Sequence, residues 1–323
     1  TAVGAEALDA NTTGSNNAAF GMSALGDNTT GDSNTALGKA ALAANTTANG
    51  NTAVGRDCLG VNTTGELNVA VGRDAMAGAT TGDRNTAVGA YALDAALTAH
   101  DNVAIGNEAG SAVTGGANNT AVGGYALRFC TTGTKNTAVG KSALTNCTGS
   151  NNTAVGEVAL ANSTTASENT AIGYAALSEL TTGIQNTAVG TEALQSVTTT
   201  VNNTAVGYKA LEANTGTSNT ALGCKALDEN TTGNQNTAVG DHALDNNTTA
   251  SSNTAVGYIA LEMNTTGGSN VAVGAEALEA NTTGARNTAV GFEALHLSTA
   301  DDNVAIGNYA LEQNTTAIKR CCW

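Results

Sequence analysis

An all-β fold, a parallel β-solenoid (β-roll) of nineteen short coils, is the class the sequence predicts, on three observations. The motif Asn-Thr-Ala-Val-Gly returns from the truncated Thr1-Ala2-Val3-Gly4 to Asn303-Val304-Ala305-Ile306-Gly307, in steps of 17 with three 16-residue steps ending at Gly156, Gly223 and Gly307. There is no proline, aromatics make up 3% and glycines number 39, so the side chains can fill a narrow core but not a wide one. Within the motif, β-branched residues alternate with smaller ones at the period of a strand. A fixed short period makes each copy one structural unit that buries its apolar face only when neighbours stack on it. The strict register also argues against disorder, which a polar, Gly-rich composition would otherwise suggest.

With the motif glycine as position 0, position −1 is always a larger apolar residue, Val in most copies and Phe20, Leu37, Leu222, Ile105, Ile172 or Ile306 elsewhere. Position −2 is Ala in all nineteen copies, −3 is Thr or Val apart from Ala18, and −4 is Asn wherever it is present. This stretch predicts a short strand. The glycine that follows suits a turn needing positive φ or close backbone approach. Position +4 is Leu except at Met76 and Gly110, and +3 is nearly always Ala, which predicts a second short strand on another side of the coil. Asn-Thr-Thr-Gly, as in Asn11 to Gly14, then closes the coil as a polar turn. A strand and two Gly turns leave too little room for a stable helix. Stacked at about 4.8 Å, nineteen such coils make a rod about 90 Å long. The array spans 1–316, with a short non-repeat tail at 317–323.

In a strand, −3 and −1 share one face while −4 and −2 share the other. With Val inward, the outward face shows Asn and Ala; with Ala inward, it is an apolar stripe of Thr, Val and Ile. Solvent does not require an unvarying Ala, and it penalises a long apolar stripe. Both faces therefore read as buried, and another subunit is the simplest cause. The expected core ladder includes Val3, Leu8, Val54, Leu59, Val139, Leu144, Val239 and Leu244, and the expected subunit-contact ladder Ala2, Ala53, Ala138, Ala238 and Ala289.

A net charge of −15 argues against nucleic acid or an anionic membrane surface as partner. The charge is spread over the repeats, as for a solvated face. No stretch has the length of an apolar membrane span, so membrane insertion is not expected.

Asn-Val-Ala-Ile-Gly (102–106 and 303–307) and Asn-Val-Ala-Val-Gly (68–72 and 270–274) resemble the head repeats of trimeric autotransporter adhesins. The Asn-Thr-Ala-Val-Gly, Ala-Leu, Asn-Thr-Thr-Gly form is similar to repeats of tail-fibre-like proteins of bacteria and viruses. The resemblance covers essentially the whole chain. It implies a left-handed β-roll, three chains packed about an axis, and surface attachment. The adhesin repeat is somewhat shorter than the repeat of this chain, and no anchor barrel, stalk coiled coil or self-cleaving chaperone domain is present in the sequence.

Motifs that carry chemistry are scarce. His100, His242 and His296 lie in different coils without a metal-ligand spacing, and no metal or other cofactor is expected. Gly140-Lys141-Ser142 lacks the preceding glycine of a phosphate loop, where Lys135 stands. Acidic residues recur at +2 in some copies (Glu6, Asp57, Asp74, Glu108, Glu192, Glu276, Glu293) and read as a solvated turn. Cys130 and Cys147 both stand at +7 in adjacent coils, where stacking brings their Cα atoms to about 5 Å. They form either a disulfide, which implies an oxidising compartment, or two buried free thiols. Cys58 and Cys224 have no stacked partner. Cys321-Cys322-Trp323 breaks the pattern, either joining chains covalently or ending the sequence without a role. Asn-x-Ser/Thr sequons such as Asn28, Asn45 and Asn281 are glycan acceptors or, preferably, ladder residues.

The function expected is therefore non-enzymatic: the shaft or head of an extracellular, surface-attached fibre assembled from identical chains, with trimers favoured and end-to-end filaments as a variant. Uncapped solenoid ends add to this expectation. The alternative is an ice-binding β-solenoid, because Thr recurs at −3, +8 and +9. A carbohydrate-acting solenoid enzyme lacks an acidic cluster within one coil.

Overall fold

The computed structural model describes residues 1–95, 97–315 and, for the backbone, 321–322. The chain divides into two compact units, Thr1–Ala166 and Ser167–Trp323. Among the described residues each unit is built entirely of parallel strands and turns, without a helix, and the fold is an all-β parallel solenoid. The first unit carries ten strands, from β1 (Ala2–Val3) to β10 (Thr153–Val155). The second carries ten more, from β11 (Thr170–Ile172) to β20 (Cys321–Cys322).

Neighbouring strands pair in strict register, residue type on residue type. Thr35, Ala36 and Leu37 lie beside Thr52, Ala53 and Val54, and Thr237, Ala238 and Val239 beside Thr254, Ala255 and Val256. The 16-residue steps leave this register intact, as Thr153, Ala154 and Val155 pair with Thr137, Ala138 and Val139. The missing residue comes out of the polar turn, where Cys147-Thr148-Gly149 replaces the longer Cys130-Thr131-Thr132-Gly133.

Axial hydrogen bonds extend well beyond the three-residue strands. In one coil of the second unit, the N–H groups of Thr237, Gly240, His242 and Leu244 donate to Asn253, Leu222, Cys224 and Ala260 carbonyls at 2.8, 2.8, 3.0 and 3.1 Å. The backbone is thus paired along most of the coil.

The second strand expected around Ala-Leu is not formed. Positions +2 and +4 instead take left-handed conformations, as at His242 (φ 54°) and Leu244 (φ 54°). The reason is that Ala243 and Leu244 are adjacent and both fully buried. A strand would turn one of them outward, whereas a residue at positive φ reverses the chain's facing. The motif glycines meet both expectations at once. Gly240 has φ +140°, and a Cβ there would lie 2.6 Å from the carbonyl carbon of Gly257 in the next coil.

Two rows of asparagine run inside the coils. At −4, the Asn34 side chain accepts from the Asn51 N–H at 2.9 Å and donates to the Ala48 carbonyl at 2.8 Å. Asn236 repeats this toward Asn253 and Ala250 at 3.0 and 2.9 Å. At +7, Asn45 Nδ2 donates to Asn28 Oδ1 at 2.8 Å, and Asn247 Nδ2 to Asn230 Oδ1 at 2.7 Å. This second row gives way to buried Ala79, Val113, Cys130, Cys147, Ser163, Leu180 and Val197 in other coils. Where Ala79 follows Asn62, the Asn62 Oδ1 is left without a partner. A third row lies at the surface, where the +8 threonine hydroxyls donate to the next coil's carbonyl, as Thr29 Oγ1 to Thr46 O at 3.0 Å.

The tail expected at 317–323 lies mostly outside the described residues. Its Cys321–Cys322 backbone pairs in parallel with Val304 and Ala305, one repeat period earlier. Positions −3 and −2 of the motif are therefore occupied once more, and the spacing alone carried that signal.

Candidate interaction surface and edge clusters

The strand faces are reversed relative to expectation. Ala53, Ala138, Ala238 and Ala289, expected at a subunit contact, are fully buried inside their own coils, and Ala2 is exposed only in the first coil. Val3 is 57% exposed and Val139 36%, with Val54 and Val239 half-buried, so the valines expected in the core form the outer face. Leu59, Leu144 and Leu244 are fully buried, and Leu8 is half-buried in the first coil. The physical reason is room. The coil interior already holds the Leu row and the asparagine rows, and only a methyl group fits beside them at −2.

The outer strand face consequently carries Thr or Val at −3 and Val, Ile, Leu or Phe at −1. In the first unit this face exposes the large apolar side chains of Phe20, Leu37 and Ile105, and in the second unit those of Ile172, Leu222 and Ile306. The chain contains 12 Lys and Arg and 27 Asp and Glu, yet none occupies −3 or −1 in any copy. Solvent-facing surfaces ordinarily carry interspersed charge, which limits association, so this omission is the most informative property of the face. Among the described residues, the hydroxyls of Thr35, Thr52 and Thr237 carry no intramolecular hydrogen bond.

Cys130 and Cys147 are buried free thiols, turned toward the carbonyls of Gly133 and Gly149 at 4.0 and 3.2 Å. They belong to the +7 row, which elsewhere holds Asn, Ala, Ser, Val or Leu. The neighbouring Cys147, together with burial, pushes the Cys130 thiol up, and burial pushes Cys58 up to about 12. These two thiols, Cys130 and Cys58, stay protonated at neutral pH and are poor nucleophiles. The sequon amides of Asn28, Asn45, Asn62, Asn230, Asn264 and Asn281 are fully buried. A glycan there would require opening the coil.

One cluster is invisible to a reading along the sequence. Position +5 in the second unit holds Glu212, Asp228, Asp245, Glu262 and Glu279 in successive coils, followed by His296 and Glu312. Stacking places these side chains above one another on the coil edge. Partial burial, then the charges of Glu212 and Asp245, raises Asp228 to about 6, against a partial offset from Lys225 at 4.0 Å. Burial and the charges of Glu279 and Asp245 likewise raise Glu262. Position +2 adds His242, Glu276 and Glu293. His242 Nδ1 lies 2.6 Å from Asp245 Oδ2, and His296 Nδ1 lies 3.4 Å from Glu279 Oε2. His242 and His296, which have no metal-ligand spacing along the sequence, thus sit beside carboxylates in the coil stack. The signal was available as position within the coil, since +2 and +5 stack across coils where linear spacing shows nothing.

A raised carboxyl destabilises the fold once it ionises. Folding holds the Asp228 proton more tightly than the unfolded chain does, so its stabilising contribution is present below about pH 4 and lost as pH rises through about 6. Asp228→Asn is expected to stabilise the second unit at pH 8 by about 1 kcal/mol, after discounting for partial solvation. Denaturant unfolding at pH 8 and pH 3.5 checks this, because the gain must vanish at the lower pH.

No protein-family model matches the chain, and no curated protein matches it.

Proposed function

We propose that the chain is a non-enzymatic structural protein that associates with copies of itself into an extracellular fibre or surface-attachment rod. The observation that carries this reading is the uncharged outer strand face that each unit presents, with exposed apolar residues such as Leu37 and Ile105 in the first unit and Ile172 and Leu222 in the second. Contiguous apolar surface of this kind marks an interaction site. Its spacing favours one occupant. A ladder offering one large apolar side chain per coil is matched best by a surface with the same axial rise, which another copy of this chain supplies. Packing two or three such faces about a common axis would bury the stripe and leave the acidic edges in solvent, consistent with a net charge of −15. The adhesin-like motif adds the attachment role and display outside the cell.

The test is oligomeric state. Sedimentation equilibrium of the intact chain is expected to give a discrete oligomer or longer assemblies. The double variant Val139→Lys and Val239→Lys places one charge on the outer face of each unit. It is expected to shift the mass to that of a monomer with unchanged far-UV circular dichroism. A wild-type chain that sediments as a monomer at high concentration overturns the reading.

A second reading keeps one observation of its own. The −3 threonine hydroxyls, unbonded within the chain at Thr35, Thr52 and Thr237, can order water across a flat strand face, as an ice-binding solenoid requires. The +8 threonines do not add to it, because their hydroxyls are tied to carbonyls along the axis. A monomeric wild type that inhibits ice recrystallisation would replace the fibre reading with this one.

A further inference from the structure

The coil edge of the second unit brings together side chains that neither a fibre nor an ice-binding face requires. The ligand atoms of His242, Asp245 and Glu262 all lie within 4.8 Å of one another, and so do those of Glu276, Glu293 and His296. Each trio joins one imidazole to two carboxylates. Each also takes its members from two adjacent coils, with His242 and Asp245 in one and Glu262 in the next, then Glu276 in one and Glu293 with His296 in the next.

We propose that these two trios are binding sites for a divalent transition-metal ion, with zinc the best match. Three arguments select this chemistry. One nitrogen and two carboxylate oxygens form a donor set that zinc accepts, with solvent completing four-coordination. A hard ion such as calcium prefers oxygen alone and a larger number of ligands. The surroundings are also short of competing cations. Lys209 is engaged with Glu192 and Glu212 at 3.5 and 3.0 Å, Lys225 lies 4.0 Å from Asp228, and both residues are in earlier coils. The carboxylates at Asp245, Glu262 and Glu279 stack without a lysine or arginine between them, so a bound ion would replace like-charge repulsion with attraction. The trios also share one edge, repeated two coils apart, as a periodic scaffold would present them. The side chains are half-buried, which leaves them free to close from their present separation onto an ion.

Binding would clip neighbouring coils together at two points. The ion would act as a staple within the second unit, independent of whether the strand face associates with other chains.

The experiment uses the intact chain, stripped with a chelator and titrated with Zn²⁺ by calorimetry and with Co²⁺ by visible absorbance. Two ions per chain are expected, with the d–d bands of nitrogen- and oxygen-ligated Co²⁺ and a rise in the unfolding midpoint on adding Zn²⁺. His242→Ala and His296→Ala are each expected to remove one ion, and together to abolish the bands and the rise, whereas His100→Ala leaves two. Asp245→Asn, which keeps the side-chain shape, is expected to remove the first site and guards against misfolding of the histidine variant. The proposal is overturned if the histidine variants bind as the wild type does. It is equally overturned if Ca²⁺ competes with Zn²⁺ on equal terms, since either result means diffuse counter-ion attraction to an acidic edge.

Discussion

Gly240→Ala is expected to open the second unit locally, with a loss of upward of about 3 kcal/mol, the range reached when strain and steric overlap combine. Two effects add. Residue 240 sits at φ +140°, a region that L side chains rarely adopt, and the new Cβ would press against the backbone of Gly257 in the next coil. That neighbour is backbone and cannot rotate away. The control is Gly307→Ala, where φ is +125° but, among the described residues, the nearest atom to the new Cβ is Ala310 Cβ at 4.0 Å. It isolates the conformational part, and its loss should be clearly smaller. Hydrogen exchange read by mass spectrometry separates them. Gly240→Ala should deprotect the coils on either side, because a solenoid loses neighbour contacts locally before it unfolds globally. Equal protection in the two variants would show that overlap with the next coil contributes nothing.

Asn236→Ala is expected to lower stability by roughly 2–5 kcal/mol, the penalty for leaving two buried polar groups unpaired. Asn236 is 1% exposed, and its amide serves the Asn253 N–H and the Ala250 carbonyl. Alanine removes both partners and leaves a gap that adjoining rows cannot fill. Thr237→Val, one residue away but on the outer face, is expected to be nearly neutral, since Val69 and Val271 stand at the same position in other coils. The pair is compared by urea unfolding. A small effect at Asn236 would mean that water enters the coil and substitutes for the amide.

Much of this architecture is legible in the chain because the repeat is close to a structural period. The coil length, the strand at −3 to −1 and the need for glycine at 0 follow from alternation and spacing. Which strand face points inward does not, since alternation separates two faces without saying which is which. Assigning the larger residue to the interior is the usual choice, and here it places Val54 and Val139 wrongly. The correcting signal was variation in size. Position −1 accepts Phe20, Leu37 and Ile105, while −2 accepts nothing but Ala in all nineteen copies. A tightly enclosed site cannot change volume, and an open one can.

The Ala-Leu segment departs from its expected strand for a related reason. Two adjacent inward residues cannot belong to one strand, and the left-handed residues at +2 and +4 that resolve this carry, apart from Gly110, side chains such as Leu, Glu, His or Lys rather than the glycine or asparagine that would announce them. The edge clusters are hidden when the chain is read end to end. His242 and Glu262 belong to separate repeats of the sequence and are neighbours in the coil stack.

The shortened turns in the three coils that lead to Gly156, Gly223 and Gly307 bear on how such a chain can change over generations. Losing one residue from the polar turn leaves the strand pairing of both flanking coils undisturbed. Tandem stretches of nearly repeated coding sequence are prone to misaligned recombination, which adds or removes whole coils. A fold that forgives small slips within the turn, and that pairs successive coils through the same strand register, can absorb those events without redesign. Its length is then a heritable variable, adjustable in steps of one coil while the surface it presents stays the same.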